Sequence, residues 1–522
     1  MKKLLTILIL VALLVFVAAC NRNGDEETPD ATPEPTEAPS TQQEDPPPPD
    51  DPDPDPPAAL EPATVSWIII SEGNRDDDMV LDEVNRLLAE RHGDLNLTLD
   101  LVRLGWGEYP ERLNLMMLAG EEFDITFLAQ WYPPFFAPVA GRGDLHPLDD
   151  LLQAYAPDIL QQIPDPLWFQ ALSHGGVTYG IPIVSVYVQT QGLTFNAYYV
   201  DKHNFDYQSV RNLRDLEPFL ELIQTYEPHL IPFLPGTAAN HLTPTARAGG
   251  VEPVDWHFLF NPNTRAFSDD FLDEEISLPY WRLMREWFNR GFIAPDAASR
   301  TIWGEEMESG QYAVMPNFNF LNDGISSSEA LGFRTYDIPI FTPMPIRTAN
   351  IQNSVLGISR SSRHPDRAMQ MINAIWSDPL IYNTLIYGVQ GFHWNFTDEA
   401  GMMIELTQEG QDGFEGGGNY YQIGGITNRF GLPHLPRTQL DAAIRANLET
   451  PASVLMGFSY DISNVETEAA AFHAIIGEVM PLLDTGTVDP DTFIADVISR
   501  LESAGRQALL DDLQAQIEAF LD

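Results

Sequence analysis

The amino-acid sequence predicts an α/β protein whose first folded part contains a parallel sheet. Three short apolar stretches predict strands: Thr64–Ser71, Leu95–Leu104 and Asp124–Leu128. Between them, apolar residues recur at helical spacing over 79–88 and 110–118, and Gly93 and Gly120 follow these stretches where a helix would end. Alternation of strand and helix is the pattern of a parallel sheet covered by helices.

The residues after the third strand are the first candidates for a ligand site, because ligands of open α/β sheets bind beyond the carboxyl ends of the strands. Gln130, Trp131 and Tyr132 stand there and combine two aromatic rings with an amide. Sugars stack their C–H faces on aromatic rings and exchange hydrogen bonds with polar side chains. These residues therefore predict a ligand contact, and their combination would suit a sugar. The alternative is that Trp131 packs under Pro133 and Pro134.

The first 20 residues predict an export signal that ends in a lipidation site. Lys2 and Lys3 precede an apolar run, 4–19, which is shorter than the about 20 residues that span a bilayer. The stretch Val17–Cys20 holds the only cysteine of the chain and resembles the lipobox of bacterial lipoproteins. This resemblance implies that Cys20 is lipidated and anchors the protein to the extracellular face of the cell membrane. The alternative is an ordinary signal peptide with an unrelated cysteine.

Residues 21–63 predict a disordered, acidic, proline-rich linker, because low hydrophobicity and high charge cannot offset the entropy of folding. Repeats such as Asp50–Pro57 favour an extended spacer. The alternative is an acidic Ca²⁺ site, although no glycine turn gathers the carboxylates around one ion. The formal net charge of −48 excludes nucleic acid as a partner, since phosphate binding needs a basic face. With Cys20 lipidated, no thiol remains for disulfides, catalysis or metal ligation.

The same patterns predict the later elements of the chain. We expect helices at 149–155, 212–225, 278–290, 365–377, 467–483 and 491–521, a hairpin at 175–182, and loops at 240–251 and 410–425. Strands are expected at 310–315, at 353–359 and over 183–188 with 192–196, which is long for one sheet. Trp67 and Trp376 lie in apolar patterns and are expected in the core.

Stretches of sequence that together cover most of residues 64–522 occur in a familiar order. They are LNLMMLAGEEFDITFLAQW (113–131), GDLHPLDDLLQAYAP (143–157), GGVTYGIPI (175–183), GLTFNAYYVDKH (192–203), GQYAVMPN (310–317), VLGISRSSRHPDRAMQMINAIWSDPLIYNTLIYGVQGFHW (355–394) and LMGFSYDISNVETE (455–468). Their order resembles the family 1 extracellular solute-binding proteins of ABC importers, the class of the maltose-binding protein. It resembles more closely a Gram-positive lipoprotein subgroup, whose extra C-terminal segment would begin at the last of these stretches.

This resemblance implies a two-lobed α/β fold of the type 2 periplasmic-binding-protein class, with the ligand held in the cleft between the lobes. It places the first crossing near 187–193 and the return near 347–355, which would explain the long predicted strand. Lobe one would comprise 64–187 and 353–404, and lobe two 190–346 and 405–522 with a helical C-terminal segment.

Further polar and aromatic residues are predicted to line the cleft: Tyr187, Gln189, Gln191, Asn317, Asn319, Phe320 and Trp394, with Trp303 and Tyr421 as weaker candidates. The first three alternate along the crossing strand and so share one face, which is either a cleft wall or ordinary sheet surface. Phe320 stands where the resembled family usually has a binding tryptophan. Trp394 lies in a loop after the helical region and is either a ligand contact or a core residue.

The sequence predicts a binding protein rather than an enzyme. It lacks H-E-x-x-H, G-x-x-x-x-G-K-[ST] and G-x-S-x-G motifs, and its eleven histidines show no metal-ligand spacing. We therefore expect no catalytic residue, cofactor or metal. The resemblance implies a monomeric surface lipoprotein that captures an oligosaccharide and delivers it to the transmembrane subunits of an ABC permease. The alternatives are a sensor lipoprotein, a peptide-binding importer component, and a surface glycoside hydrolase with two carboxylates.

Overall fold

The computed structural model describes residues 60–163, 165–185, 187–188, 192–235, 252–255, 258–269, 277–300, 309–317, 333–340, 345–414 and 420–522. The strands are β1 (Ala63–Ile70), β2 (Leu97–Leu104), β3 (Ile125–Leu128), β4 (Ser173–His174), β5 (Val177–Thr178), β6 (Ile181–Pro182), β7 (Gly192–Asn196), β8 (Ile231–Phe233), β9 (Glu252–Asp255), β10 (Phe258–Asn261), β11 (Ala266–Asp269), β12 (Tyr312–Asn317), β13 (Thr335–Pro339), β14 (Val355–Ile358), β15 (Trp394–Asp398) and β16 (Met403–Leu406). The α-helices are Asp77–Arg91, Tyr109–Ala119, Phe136–Arg142, Asp149–Tyr155, Pro157–Gln162, Leu167–Gln170, Ala197–His203, Glu217–Tyr226, Ser277–Arg290, Thr348–Ile351, Pro365–Ser377, Pro379–Tyr387, Gln408–Gly413, Tyr420–Ile423, Arg437–Glu449, Glu466–Asp484, Pro490–Ser503 and Arg506–Leu521.

The first sheet has the strand order β2–β1–β3–β14–β6 and contains the predicted parallel strands. Trp67 of β1 lies opposite Leu101 of β2 and Ile125 of β3. The fourth strand, β14, comes from much later in the chain and runs antiparallel to β3, with Val355 opposite Leu128. The residues after Leu128 therefore lie beside the residues that precede Val355, at the edge of the sheet where a ligand site is expected.

The second sheet has the order β13–β7–β12–β8. Its central strand β7 is antiparallel to both β12 and β13, and Gly192 lies opposite Asn317 and Pro339. A side chain at position 192 would place its Cβ 2.0 Å from the carbonyl oxygen of Ile338, so this close approach of two strands requires glycine. A separate antiparallel sheet, β11–β10–β9, also belongs to this part of the molecule.

Two hydrophobic cores divide the compact unit Ala59–Asp522 into two lobes. The buried residues of the first core come from 65–188 and 346–456, and those of the second from 193–338 and 455–517. The chain therefore crosses between the lobes near 188–193, 340–346 and 452–456. Trp67 and Trp376 are buried in the first core, as predicted.

The structure differs from the prediction in where residues 405–432 pack. Phe414, Ile423 and Phe430 lie in the first core, although the family resemblance implied that this segment belongs to the second lobe. Polar contacts fix it there: the buried side chain of Gln422 exchanges hydrogen bonds with the backbone of Ile70. An apolar pattern indicates that a face is covered, but it does not indicate which lobe covers it.

The first part of the predicted strand, 183–188, is wrong for the residues that the structure describes there, whereas the second part, 192–196, is the strand β7. The strand β6 ends at Pro182 and β7 begins at Gly192. Between them, the backbone N–H groups of Tyr187 and Val188 donate to Oδ1 of Asn447, at 3.1 and 3.3 Å. A side chain from another segment thus satisfies donors that a sheet ladder would otherwise use.

Most other predicted elements are present. The hairpin of β4 and β5 turns at Gly175 and Gly176, which both have positive φ. The predicted loop 410–425 instead contains the end of the helix Gln408–Gly413 and the whole of the helix Tyr420–Ile423. Residues 240–251, Trp303, the signal peptide, Cys20 and most of the linker lie outside the described residues. Among the described helices, none has both the length and the hydropathy to cross a membrane.

The carboxylate of Asp378 is expected to stabilise the first lobe in two ways. It accepts hydrogen bonds from the backbone N–H groups of Leu380 and Ile381, at 2.9 and 3.3 Å, and so caps the helix Pro379–Tyr387. It also pairs with Arg91. We expect Asp378→Ala to lower the free energy of unfolding by about 1–2 kcal/mol, measured by chemical denaturation. Asp378→Asn keeps a capping oxygen and should cost less, whereas equal losses would show that the ion pair, not the cap, stabilises the helix.

Candidate ligand-binding site

Four aromatic side chains, Trp106, Trp131, Tyr132 and Tyr421, form what we call the aromatic platform, at the carboxyl ends of β2 and β3. The ring centroid of Trp131 lies 6.1 Å from that of Trp106, 5.7 Å from Tyr132 and 6.4 Å from Tyr421. Trp131 is 43% exposed and Trp106 is 39% exposed. Large aromatic rings that remain this accessible while contacting one another can stack on the C–H face of a ligand.

The platform is fixed to the chain that returns from the second lobe. Nε1 of Trp131 donates to the carbonyl oxygen of Asn353 at 2.8 Å, and the backbone N–H of Gln130 donates to that of Gln352 at 2.9 Å. The hydroxyl of Tyr132 donates to the carbonyl oxygen of Trp106. The indole of Trp131 is therefore held by a hydrogen bond as well as by packing, and the backbone of Trp106 is held by the hydroxyl of Tyr132, which limits the freedom of both residues before a ligand arrives.

An open polar depression of about 450 Å³ lies beside Trp106. Its lining includes Glu72, Arg103 and Glu108, together with three glycines that leave the backbone accessible. Oε1 of Glu72 accepts a hydrogen bond from the backbone N–H of Trp106 at 2.8 Å. Carboxylates and a guanidinium beside an exposed ring supply the acceptors and donors that sugar hydroxyls need.

The phenol of Tyr132 lies at this edge of the platform, against the ring of Trp106. Burial raises its pKa, and the nearby carboxylate of Glu72 raises the pKa further. The hydroxyl therefore stays protonated at neutral pH, and its single O–H supplies the hydrogen bond to the carbonyl oxygen of Trp106.

Gln422 positions the fourth ring of the platform. Tyr421 lies on the short helix Tyr420–Ile423, and the fully buried amide of Gln422 ties this helix to the end of β1. The N–H of Ile70 donates to Oε1 of Gln422 at 2.6 Å, and Nε2 of Gln422 donates to the carbonyl oxygen of Ile70 at 3.1 Å. On the other side, the guanidinium of Arg429 stacks on Tyr420 at 4.1 Å.

We expect Gln422→Ala to lower the free energy of unfolding by about 1–3 kcal/mol, because it leaves two buried backbone groups of Ile70 unsatisfied. Denaturation with urea would measure this loss. Gln439→Ala, at another buried glutamine outside the platform, is the control for ligand affinity. An affinity that falls equally in both variants would contradict the positioning role of Gln422.

The structure brings together only some of the predicted site residues. Gln130, Trp131 and Tyr132 lie at the sheet edge as expected, and Tyr421 joins them. Tyr187 and Trp394 are corrections, because both are buried: the hydroxyl of Tyr187 donates to the carbonyl oxygen of Ile183, and Nε1 of Trp394 donates to that of Gly388. Neither ring can contact a ligand without repacking of the core. Gln189, Gln191, Asn319, Phe320 and the side chain of Asn317 lie outside the described residues.

Sequence reasoning missed Trp106 and Glu72. Both follow strands of the same parallel sheet, Glu72 after β1 and Trp106 after β2, and this is the signal that identified Trp131 after β3. Applying the strand-end rule to all three strands would have found them.

The arrangement is suited to binding by stacking and hydrogen bonds. Within the part of the chain that the structure describes, no group of three histidine, cysteine or carboxylate side chains is placed to hold a metal ion.

Comparisons with known proteins agree with this fold. The family model "Domain of unknown function (DUF3502)" matches residues 454–522, which contain the C-terminal helices Glu466–Asp484, Pro490–Ser503 and Arg506–Leu521. A carbohydrate ABC transporter substrate-binding protein of Streptococcus pneumoniae is 22% identical over 453 residues, which cover 85% of this chain and 88% of that protein. These findings confirm the resemblance to extracellular solute-binding proteins of ABC importers.

Solved structures confirm the two-lobed fold. The N-glycan transport solute binding protein NgtS from Streptococcus pneumoniae is 20% identical, with a TM-score of 0.77 over 88% of this chain and 99% of that chain. The same protein in complex with Man5GlcNAc has a TM-score of 0.63 over the same shares of both chains. An extracellular solute-binding protein from Bifidobacterium longum subsp. infantis is 14% identical, with a TM-score of 0.60 over 88% of this chain and 99% of that chain.

Proposed function

We propose that this protein captures an oligosaccharide between its two lobes and delivers it to an ABC importer. The observation that carries the proposal is the pair of exposed, mutually contacting indoles of Trp106 and Trp131 beside the carboxylate of Glu72. Such a surface offers a stacking face beside polar partners, which is the combination that a sugar ring requires.

Closure of the lobes would complete the site. The platform belongs to the first lobe, but its hydrogen bonds end on Gln352 and Asn353, directly after the chain has returned from the second lobe. A ligand on the platform therefore lies next to a crossing. Contacts with the second lobe would favour the closed state by the difference in ligand affinity between the two states.

The similar proteins support a carbohydrate as ligand. The Streptococcus pneumoniae relative is named for carbohydrate transport, and NgtS has been crystallised with Man1GlcNAc and with Man5GlcNAc. These relatives are binding proteins of transporters, which supports a role without catalysis. Mannose- and GlcNAc-containing oligosaccharides are accordingly the first probes for this chain.

A thermal-shift screen of the purified protein tests the proposal. The panel contains Man1GlcNAc, Man5GlcNAc and other oligosaccharides, with short peptides as the counter-panel. A ligand at 1,000 times its Kd should stabilise the folded protein by about 4 kcal/mol, and dialysis of the ligand should reverse the shift. A shift with peptides alone, or the release of shortened glycan products during incubation, would contradict oligosaccharide capture.

The proposal includes a lipid anchor at Cys20, a monomeric protein and transfer of the sugar to the transmembrane subunits of the permease. The basis for the lipid anchor is the lipobox-like sequence at the end of the apolar run. Replacing Cys20 by serine in the producing cell should release the protein into the medium. Mass spectrometry of the wild-type protein that shows an unmodified cysteine would contradict the anchor.

A further inference from the structure

A small pocket of about 170 Å³ lies where two of the chain crossings meet; we call it the hinge pocket. Glu252 of β9 contributes one wall from the second lobe, Arg347 and Gln352 come from the returning chain, and Ser453, Phe458 and Tyr460 come from the crossing near 452–456. The pocket is distinct from the aromatic platform, and no residue is common to the two.

Backbone contacts hold the two crossings together around the pocket. The N–H of Ile346 donates to the carbonyl oxygen of Pro451 at 3.0 Å, and the N–H of Ser453 donates to that of Ile346 at 2.7 Å. The hydroxyl of Thr348 donates to the carbonyl oxygen of Leu455 at 3.2 Å. The polar groups of the pocket therefore lie on segments that are hydrogen-bonded to each other.

The pocket contains one cationic and one anionic group that are poorly solvated. Nε of Arg347 is inaccessible to solvent and has no hydrogen-bond partner among the described residues. Glu252 is 3% exposed, and its carboxylate accepts a hydrogen bond from the hydroxyl of Ser453. Burial raises the pKa of Glu252 and lowers the pKa of Arg347, while the attraction between the two groups opposes both shifts.

A hydroxyl group suits this pair of charges, because it can donate to Glu252 while it accepts from Arg347. The pocket volume far exceeds the roughly 10–15 Å³ that one water requires. Phe458 and Tyr460 add apolar surface for the C–H face of a ring. A carboxylate ligand would pair with Arg347, but Glu252 would repel it.

We propose that the hinge pocket is a second sugar subsite, in which Arg347 and Glu252 bridge adjacent hydroxyls of a neutral sugar residue. This inference rests on the proposed function and extends it, because the same oligosaccharide would contact both sites. The chain connects them directly: Gln352 lines the hinge pocket, and the carbonyl oxygen of the next residue, Asn353, accepts the hydrogen bond from Trp131.

Calorimetric titration with Man1GlcNAc and Man5GlcNAc tests the subsite. We expect Arg347→Met and Glu252→Gln each to lower the affinity for the longer glycan at least tenfold, and the shorter glycan to lose less. Glu252→Gln keeps an oxygen that can accept the hydrogen bond from the hydroxyl of Ser453. This variant therefore tests the subsite even if Arg347→Met does not fold. Arg363→Met is the matched control, because the side chain of Arg363 is 75% exposed and remote from the pocket lining.

The outcomes separate the two proposals. Wild-type protein that binds neither these glycans nor another sugar would overturn the proposed function and the subsite with it. Binding by the wild type that both variants retain would overturn the subsite alone. An affinity for these neutral glycans that rises in Glu252→Gln would show that the carboxylate of Glu252 opposes binding and would overturn the assigned sugar contact. Equal losses for both glycans would show an effect on hinge closure rather than a sugar contact.

Discussion

Replacing Trp131 by alanine is expected to weaken oligosaccharide binding by about 30-fold or more, which corresponds to roughly 2 kcal/mol. The indole is the centre of the aromatic platform, since its ring lies within 6.4 Å of the rings of Trp106, Tyr132 and Tyr421. Truncation would remove the stacking face and also the hydrogen bond from Nε1 to the carbonyl oxygen of Asn353. Calorimetric titration of the variant with the best sugar from the screen would measure the loss.

Trp131→Phe separates the contribution of ring stacking from that of the hydrogen bond to Asn353. The phenyl ring keeps a stacking face but cannot donate to Asn353, so its loss of affinity should be smaller than that of Trp131→Ala. Because Trp131 is half-exposed, neither change should alter the melting temperature of the ligand-free protein by more than a few degrees. An unchanged affinity in Trp131→Ala would contradict the placement of the binding site on the platform.

The sequence predicts the platform only as far as local patterns reach. Trp131 is identified because it follows a strand of a parallel sheet, and that rule depends on neighbouring residues alone. Tyr421 comes to the same surface through the contact between Gln422 and Ile70, which are 352 residues apart in the chain. No local pattern records such a contact, so the sequence alone makes Tyr421 only a weak candidate.

The errors in the predicted site have the same origin. Alternation places Tyr187 on one face of its segment but does not say what covers that face, and the ring of Trp168 covers it at 4.9 Å. Trp394 follows a glycine-bounded turn, where its ring packs against Phe396 and Phe430. In both cases, residues distant in sequence decide whether an aromatic side chain is buried or available.

The three parallel strands of the first sheet and the helical character of the C-terminal segment were predicted correctly because their signals are strong and local, although the predicted helix 491–521 is two helices, Pro490–Ser503 and Arg506–Leu521. Strands such as β1, which has five of its eight residues buried, alternate with helices, and the C-terminal helices show apolar residues at regular spacing. The packing of 405–432 against the first lobe was not predictable in this way. Its apolar faces are clear in the sequence, but the partner lobe is chosen by contacts such as the hydrogen bond from Nε of Arg429 to the hydroxyl of Tyr387, at 2.8 Å.

The C-terminal helices are expected to be essential to the second lobe rather than an appendage. The last helix, Arg506–Leu521, buries Leu509, Leu513 and Ile517 at intervals of one turn. These side chains belong to the same core as Trp281 and Phe258. A segment that completes the core of a lobe cannot be removed without exposing that core to water.

We therefore expect Leu513→Ala to lower the free energy of unfolding by about 2–5 kcal/mol, because it leaves a cavity in a packed core. Leu513 is 0% exposed, whereas Leu118, on the helix Tyr109–Ala119 of the first lobe, is 64% exposed. Leu118→Ala removes the same atoms from the surface and should change the free energy by no more than about 0.5 kcal/mol. Urea denaturation of both variants makes the comparison.

Hydrogen exchange would show where the lost stability lies. If the C-terminal helices complete the second core, Leu513→Ala should speed exchange in β7 and β12 of the second lobe and leave β1 and β3 of the first lobe protected. Equal effects of the two leucine variants, or faster exchange confined to the last helix, would mean that this helix is only weakly docked. The second lobe would then be stable without it, and the match of residues 454–522 to a separate family model would mark an independent addition to the fold.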